Sequence, residues 1–413
     1  MKRSTFFILL SILFLLDLEV SSAQEITEQN GKYVANLVQT FDVSSGGQLI
    51  ASGVSGDISV HSWNKESLEI REILHLDVFT KEEAREIVER TKSGYSVEGN
   101  TVKVTGQSGR HWIQQRFEIT VPKKFNIDLM VINGDIVVEN IAGTTELRTT
   151  NGDVEVNNIA GETNLSTSAG DLDANDIDGP LKASTSGGEI RLEKLKGLVD
   201  ARTAGGDISL RNAAKNVDLK TAGGEIEVQE VRGNVTAKTA GGSIEVRTCE
   251  GDVEVKTAGG DIIASDIGGN WEAQTSGGDI DGNGLNGRSV LETNGGDIEL
   301  SNVRGSVRAS TSAGDVDVQV TLQNFQKDHR LLLRTSVGNI RLTIPEKLPA
   351  SITAEIHQNG GRWKRFDIYS NFPLSTEEVE ERQVFRRTGD INGGGDEIRL
   401  EASHGDIRIM KAQ

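Results

Sequence analysis

The sequence predicts an all-β protein, a single-stranded parallel β-helix (β-solenoid) of 18-residue coils, right-handed. Three observations predict it. A glycine followed by an acidic residue, once replaced by Ser243, recurs with ten successive intervals of 18 residues. Aliphatic residues alternate at fixed places inside that interval, which is the period of a strand and not of a helix. Glycine makes up 47 of 413 residues while proline supplies only 5 and aromatics 4%, a composition suited to many short strands joined by tight turns and far from the Gly-X-Y repeat of collagen.

The first 23 residues read as a secretory signal. Lys2 and Arg3 precede an apolar run from Phe6 to Leu16, and Ser21-Ser22-Ala23 offers small residues before Gln24. A run of 11 residues is too short for a membrane-spanning helix. No cysteine follows for a lipid anchor, and no later segment reads as a membrane span. The chain is therefore expected to be exported and to work in the periplasm, on the cell surface or outside the cell. With a single cysteine it forms no intrachain disulfide, so packing and hydrogen bonds must hold it together.

Residues 24–126 read as a β-rich N-terminal cap with the first strands. Strand-like runs cover Leu49 to Val60, Ser67 to His75 and Phe117 to Pro122. One helix is expected from Glu82 to Lys92, because Thr80 offers an N-cap with Glu83 three residues on.

Residues 127–320 are the regular solenoid. Position one of each coil is Asp135, Asp153, Asp171, Glu189, Asp207, Glu225, Ser243, Asp261, Asp279, Asp297 and Asp315. Position two is always aliphatic, position four is mostly Val, Leu or Ala, and position seven is apolar. Position nine is glycine except at Lys215, positions eleven and thirteen are mainly apolar, and position fifteen is threonine from Thr149 to Thr311. Each coil thus holds two strands, with position seven turned inward from a bend or a short third side. One coil cannot bury its apolar face alone, whereas stacked coils bury a continuous core. At the strand spacing, eleven coils give a rod of roughly 50 Å. Right-handed crossovers are the default, and the aliphatic spacing lacks the six-residue period of left-handed coils. Trp271 at position eleven faces Ala264 and Gly282, a large residue matched by small ones. Cys249 fills an aliphatic slot as a small hydrophobe.

The register breaks after Val320. Residues 321–413 read as an insertion over Gln323 to Arg330, then degenerate closing coils and a C-terminal cap around Trp363 and Phe372. Thr335 to Ile340, Thr388 to Ile391 and His404 to Ile407 resemble the coil turn.

The opening Phe41-Asp42-Val43 followed by Gly56-Asp57-Ile58-Ser59-Val60, the Gly-Gly-Asp-Ile coils, and Ile391-Asn392-Gly393-Gly394-Gly395 together resemble one bacterial family. It is the family of exported β-strand-repeat proteins called putative adhesins, a domain family of unknown function. The resemblance covers most of the mature chain. It implies a β-solenoid in the envelope or outside the cell and brings no catalytic residues.

The formal charge of −18 argues against nucleic acid and anionic lipid as main partners, since both demand basic surface. No catalytic constellation is legible. The six histidines, His61, His75, His111, His329, His357 and His404, all lie outside the regular coils without zinc-ligand spacing and read as surface or cap residues. No Gly-x-Ser-x-Gly elbow occurs.

The acidic ladder at position one is the best candidate feature. Like charges stacked about 5 Å apart repel by roughly 0.8 kcal/mol per pair in bulk water. Three offsets are open: turn N–H groups of the glycines, the cations Arg202, Lys220, Lys238 and Lys256 at position fourteen, or Ca²⁺ bridging Asp261, Asp279, Asp297 and Asp315. The threonine ladder shares parity with the apolar positions, so it is expected to point inward and bond turn backbone.

These features lead to an exported non-enzymatic solenoid, adhesin-like or structural, whose partner is an envelope or surface protein or glycan. No cofactor is expected, Ca²⁺ being the one open option. A polysaccharide lyase or hydrolase on a β-helix is the first alternative, and a calcium-dependent binding module is the second.

Overall fold

The computed structural model describes residues 21–107, 113–322, 324–357, 366–379 and 384–412. The expected signal core, His111 and Trp363 lie outside them. Two long sheets face each other, each a linear stack of strands running along the rod. Each regular coil contributes one strand to each sheet: Ile208–Ala213 to the front sheet, for example, and Val217–Lys220 to the back. Successive coils pair in parallel, in register at 18 residues, so Ile208 sits beside Ile190 and Ile226. This is the solenoid the repeat predicts.

The core lies between the sheets. Positions two, four and seven of the front strand and eleven, thirteen and fifteen of the back strand are buried in column after column. Position seven faces inward because position six is left-handed in nearly every coil: φ is 60° at Asn140, 54° at Asp176, 55° at Lys194, 57° at Thr248 and 73° at Gly284. That residue drops out of the strand pairing, as in a β-bulge, and resets the alternation so that two outward residues precede one inward residue. No third side is needed. Asn and Asp, which tolerate this conformation, fill most of these positions; Lys194, Glu230 and Thr248 carry strain there.

Both ends stack coils out of sequence order. The first coil, Gly47–Val54 and Asp57–Trp63, lies between the coil of Thr101–Thr105 and Gln114–Pro122 and the strands that start the regular rod. The last, Asp396–His404 and Ile407–Lys411, lies between Leu331–Val337 with Ile340–Ile344 and Ala350–His357 with Ile368–Ser370. Antiparallel strands close both ends, covering edges that would otherwise invite pairing with another chain. The run Leu49 to Val60 is thus two strands parted by Ser55 and Gly56. Thr388 to Ile391, expected as a coil turn, instead belongs to the antiparallel strand Val384–Ile391, where Ile391 pairs with Ala350.

Among the described residues the one helix is Lys81–Thr91, with Thr80 Oγ1 accepting the N–H of Glu83. Its Ala84 and Val88 cover a small second core of Ile26, Leu37, Leu74 and Leu76. Strand Ser21–Gln29 contains the expected cleavage point and pairs Gln24 with Leu37.

Beneath this cap Glu72 is fully buried and accepts hydrogen bonds from the Ser93 N–H and Oγ, Tyr95 Oη and Gln115 Nε2. Burial outweighs these donors and raises its pKa above the ordinary 4.5. A raised folded-state value means that its contribution to stability is complete below about pH 4.5 and lost as pH rises through the folded value. Glu72→Gln should flatten this part of the stability–pH profile. Denaturant melts of both proteins between pH 4 and 7 check it; parallel profiles would contradict the assignment.

Candidate functional site

The position-one ladder is a hydrogen-bonded column. Each aspartate Oδ1 accepts the position-one N–H of the next coil: Asp135 from Asp153 at 2.9 Å, Asp153 from Asp171 at 2.8 Å, Asp261 from Asp279 at 2.9 Å, Asp279 from Asp297 at 2.7 Å and Asp297 from Asp315 at 2.7 Å. Asp315 continues it to the N–H of Asn339 at 2.7 Å, and Ser243 Oγ takes the same place with Asp261 at 3.1 Å. Glu189, one methylene longer, turns to Arg191 instead. Backbone N–H groups therefore offset the carboxylate repulsion, but they are those of the following coil and not of the turn glycines.

The position-fourteen cations do not serve the ladder. They sit on the outer face of the back sheet and pair with position-twelve acids: Arg202 with Asp200 at 2.9 Å, Lys220 with Asp218 at 2.8 Å and Lys238 with Glu254 at 2.8 Å. The Lys238 ammonium holds the Glu254 carboxyl below its usual range.

The four residues considered for Ca²⁺, Asp261, Asp279, Asp297 and Asp315, form one column with an oxygen of each bound to backbone. Among the described residues no group of three His, Cys, Asp or Glu side chains is placed to hold a metal ion. Beside the column, burial first and then Glu299, Asp279, Asp261 and Asp297 raise the pKa of Asp281. Asp279→Asn keeps an acceptor for the Asp297 N–H and removes one charge, so the expected change in stability is within about 0.5 kcal/mol; Asp279→Ala loses the bond and costs about 1 kcal/mol. Chemical denaturation of both variants checks this. Equal losses would show that the charge, and not the acceptor, matters.

The threonine ladder points inward and bridges successive turns. Thr221 Oγ1 donates to Gly206 O at 2.9 Å and accepts the Gly224 N–H at 3.2 Å; Thr203, Thr257 and Thr293 do the same. A second polar column at position ten escaped the sequence reading: Asn216, Asn234, Asp252 and Asn270 each accept the N–H one coil on. Its signal was present as Asn and Asp recurring at that position. The αL position six was legible in the same way.

Cys249 is buried, with Sγ 3.4 Å from Gly233 O, and burial raises its thiol pKa. His61 lies 3.3 Å from Glu139 and His357 3.8 Å from Glu355, both partly exposed. His329 lies in the C-terminal region outside the regular coils and is buried. Open troughs run along both outer faces of the coils. The front-sheet trough, of ≈ 530 Å³, is lined by Asn157, Asp173, Asn175, Arg191, Arg211 and Gln229. The trough extends over several coils and is lined by both acidic and basic side chains.

Stacked glycine-turned coils with polar outer faces define a β-solenoid scaffold. Its family is shown by the match to Toastrack DUF4097, whose model fits residues 32–212, 77–249, 181–283 and 233–410; the chain belongs to that family. None of the curated proteins compared matches it. Similar solved structures include a putative adhesin from Bacteroides fragilis, at 16% identity and TM-score 0.25, covering 68% of this chain and 96% of that one. Others are a putative cell adhesion protein from Clostridium sporogenes, at 10% identity, TM-score 0.15 and coverage of 95% and 100%, and a putative lipid binding protein from Parabacteroides distasonis, at 12% identity, TM-score 0.21 and coverage of 74% and 96%. At those scores the family match and the strand registers carry the fold assignment.

Proposed function

We propose that the chain is an exported, non-enzymatic rod that binds a protein or glycan of the bacterial envelope or surface through its outer sheet faces. The observation that carries this reading is the unbroken 18-residue register from Asp135 to Asp315. A lyase or hydrolase needs acids and bases converging in a groove, usually walled by long loops. Here most turns of the central rod are bonded to their neighbours through the aspartate, asparagine and threonine columns, and the outer-face troughs are broad and open. Solenoids use such faces for extended contacts. Export is supported by the charged, apolar and small-residue order of residues 2–23.

The test has two arms. Mild crosslinking and affinity capture from the native organism should recover an envelope component with the intact rod, and Arg191→Glu with Arg211→Glu in the front trough should weaken that capture. Purified protein should show no turnover on acidic and neutral glycans. Robust turnover would overturn the non-enzymatic reading, and failure to recover any envelope component would overturn the binding one.

A further inference from the structure

His329 is the one described histidine that is buried, at 4% exposure. It sits where three segments meet: 324–330, the turn from Pro345 to Ala350, and the turn from Asn392 to Asp396. Its Nδ1 is 2.9 Å from Lys327 O and 3.3 Å from Asp396 Oδ2, while Nε2 is 2.9 Å from Pro349 O. The backbone N–H of His329 donates to Asp396 Oδ2 at 3.0 Å. The turns are also tied to each other: Asn392 Nδ2 donates to Glu346 O at 2.9 Å and to Leu348 O at 2.8 Å, and a Cβ on Gly395 would lie 2.5 Å from Pro349 O.

Carbonyl and carboxylate oxygens only accept. A neutral imidazole has one N–H, so at this corner its bare nitrogen would face an oxygen lone pair. The corner has places for two ring protons and none for a ring lone pair. Among the described charged groups, Asp396 faces the ring from the 392–396 turn. On the ring's own segment Asp328 pairs with Arg330 at 2.7 Å, and Lys327 presents its carbonyl. From the third segment the facing group is the Pro349 carbonyl, and Glu346 of that turn pairs with Lys411 at 2.8 Å.

We propose that His329 is a proton-dependent clasp. With both ring nitrogens protonated it fastens 324–330 to the two turns; loss of one proton breaks one buried bond and loosens this corner while the central rod stays closed. Hydrogen–deuterium exchange of the full chain across the titration of His329 tests it, with rates corrected for their intrinsic pH dependence and ring protonation followed by ¹⁵N signals in the same protein. Segments 324–332 and 345–352 should exchange about tenfold faster once the ring has lost a proton, with the coils from Asp207 to Asp279 unchanged. His329→Gln should remove the pH dependence of these two segments. Ring deprotonation without faster exchange, or a His329→Gln protein that keeps the wild-type pH dependence, would overturn the proposal.

Discussion

Gly224→Ala should be among the most damaging single methyl additions in the rod, while Gly223→Ala next to it should be tolerated. A Cβ on Gly224 would lie 2.1 Å from Gly206 O and 2.5 Å from its carbonyl carbon. Those are backbone atoms of the preceding coil, so relief requires the coils to part. On Gly223 the nearest atom would be Gly205 O at 3.5 Å, an ordinary contact. We expect a loss of about 3 kcal/mol or more for Gly224→Ala and a change within about 1 kcal/mol for Gly223→Ala. The repeat itself varies in this way. Asn151, Ala169 and Ala313 occupy the first place of the pair, whereas the second is glycine in every coil from Gly134 to Gly314. Reversible denaturant melts of the two variants decide it, and equal losses would contradict the argument. The reason is space, since the left-handed φ in these central coils falls at position six and not at this turn.

The second large effect belongs to Trp271. It is buried at 1% exposure, stacked between Val253 and Ser289 in the back-sheet column. Across the core, a Cβ on Gly282 would come 2.6 Å from Trp271 Cζ3, 2.8 Å from Leu300 Cδ2 and 3.0 Å from Leu285 Cδ1. Its indole N–H has no acceptor among the described residues, so packing is what truncation removes. Trp271→Ala should cost about 3–5 kcal/mol, and Gly282→Ala about 1–3 kcal/mol through overpacking. The double variant should lose less than the sum by about 1 kcal/mol or more, because the added methyl then fills space the indole has left. Additive losses would show that the two residues do not share one cavity.

Much of this architecture was legible because an 18-residue register repeats without insertion. Column identity then follows from position, which is why the inward threonines, the Trp271–Gly282 match and the buried Cys249 could be read from spacing alone. The Lys81–Thr91 helix was legible from its capping residues. Three things were not. The slotting of the first and last coils inside their caps depends on contacts between residues far apart in sequence, such as Ile340 with Ile407. The antiparallel strand ending at Ile391 carries the same Gly-Asp-Ile letters as a coil turn but is set by its partner Ala350–His357. The ladder carboxylates could be placed, but their bond to the next coil's N–H depends on how closely successive turns approach. At the candidate faces, the sequence identified the outward positions and left their pairing open, including which acids the position-fourteen cations meet.

The central claim is that equal coils stack along one axis with outward side chains in straight columns. It is most directly tested by spin-label distances in a variant lacking Cys249, the chain's single cysteine. Labels replacing Glu155 and Glu227, four coils apart on the front sheet, should lie about 19 Å apart along the axis, and labels at Glu155 and Glu299, eight coils apart, about 38 Å. A doubling of distance with a doubling of coil number is the predicted result. Distances that fail to grow with coil number, or that are equal for the two pairs, would contradict the stack.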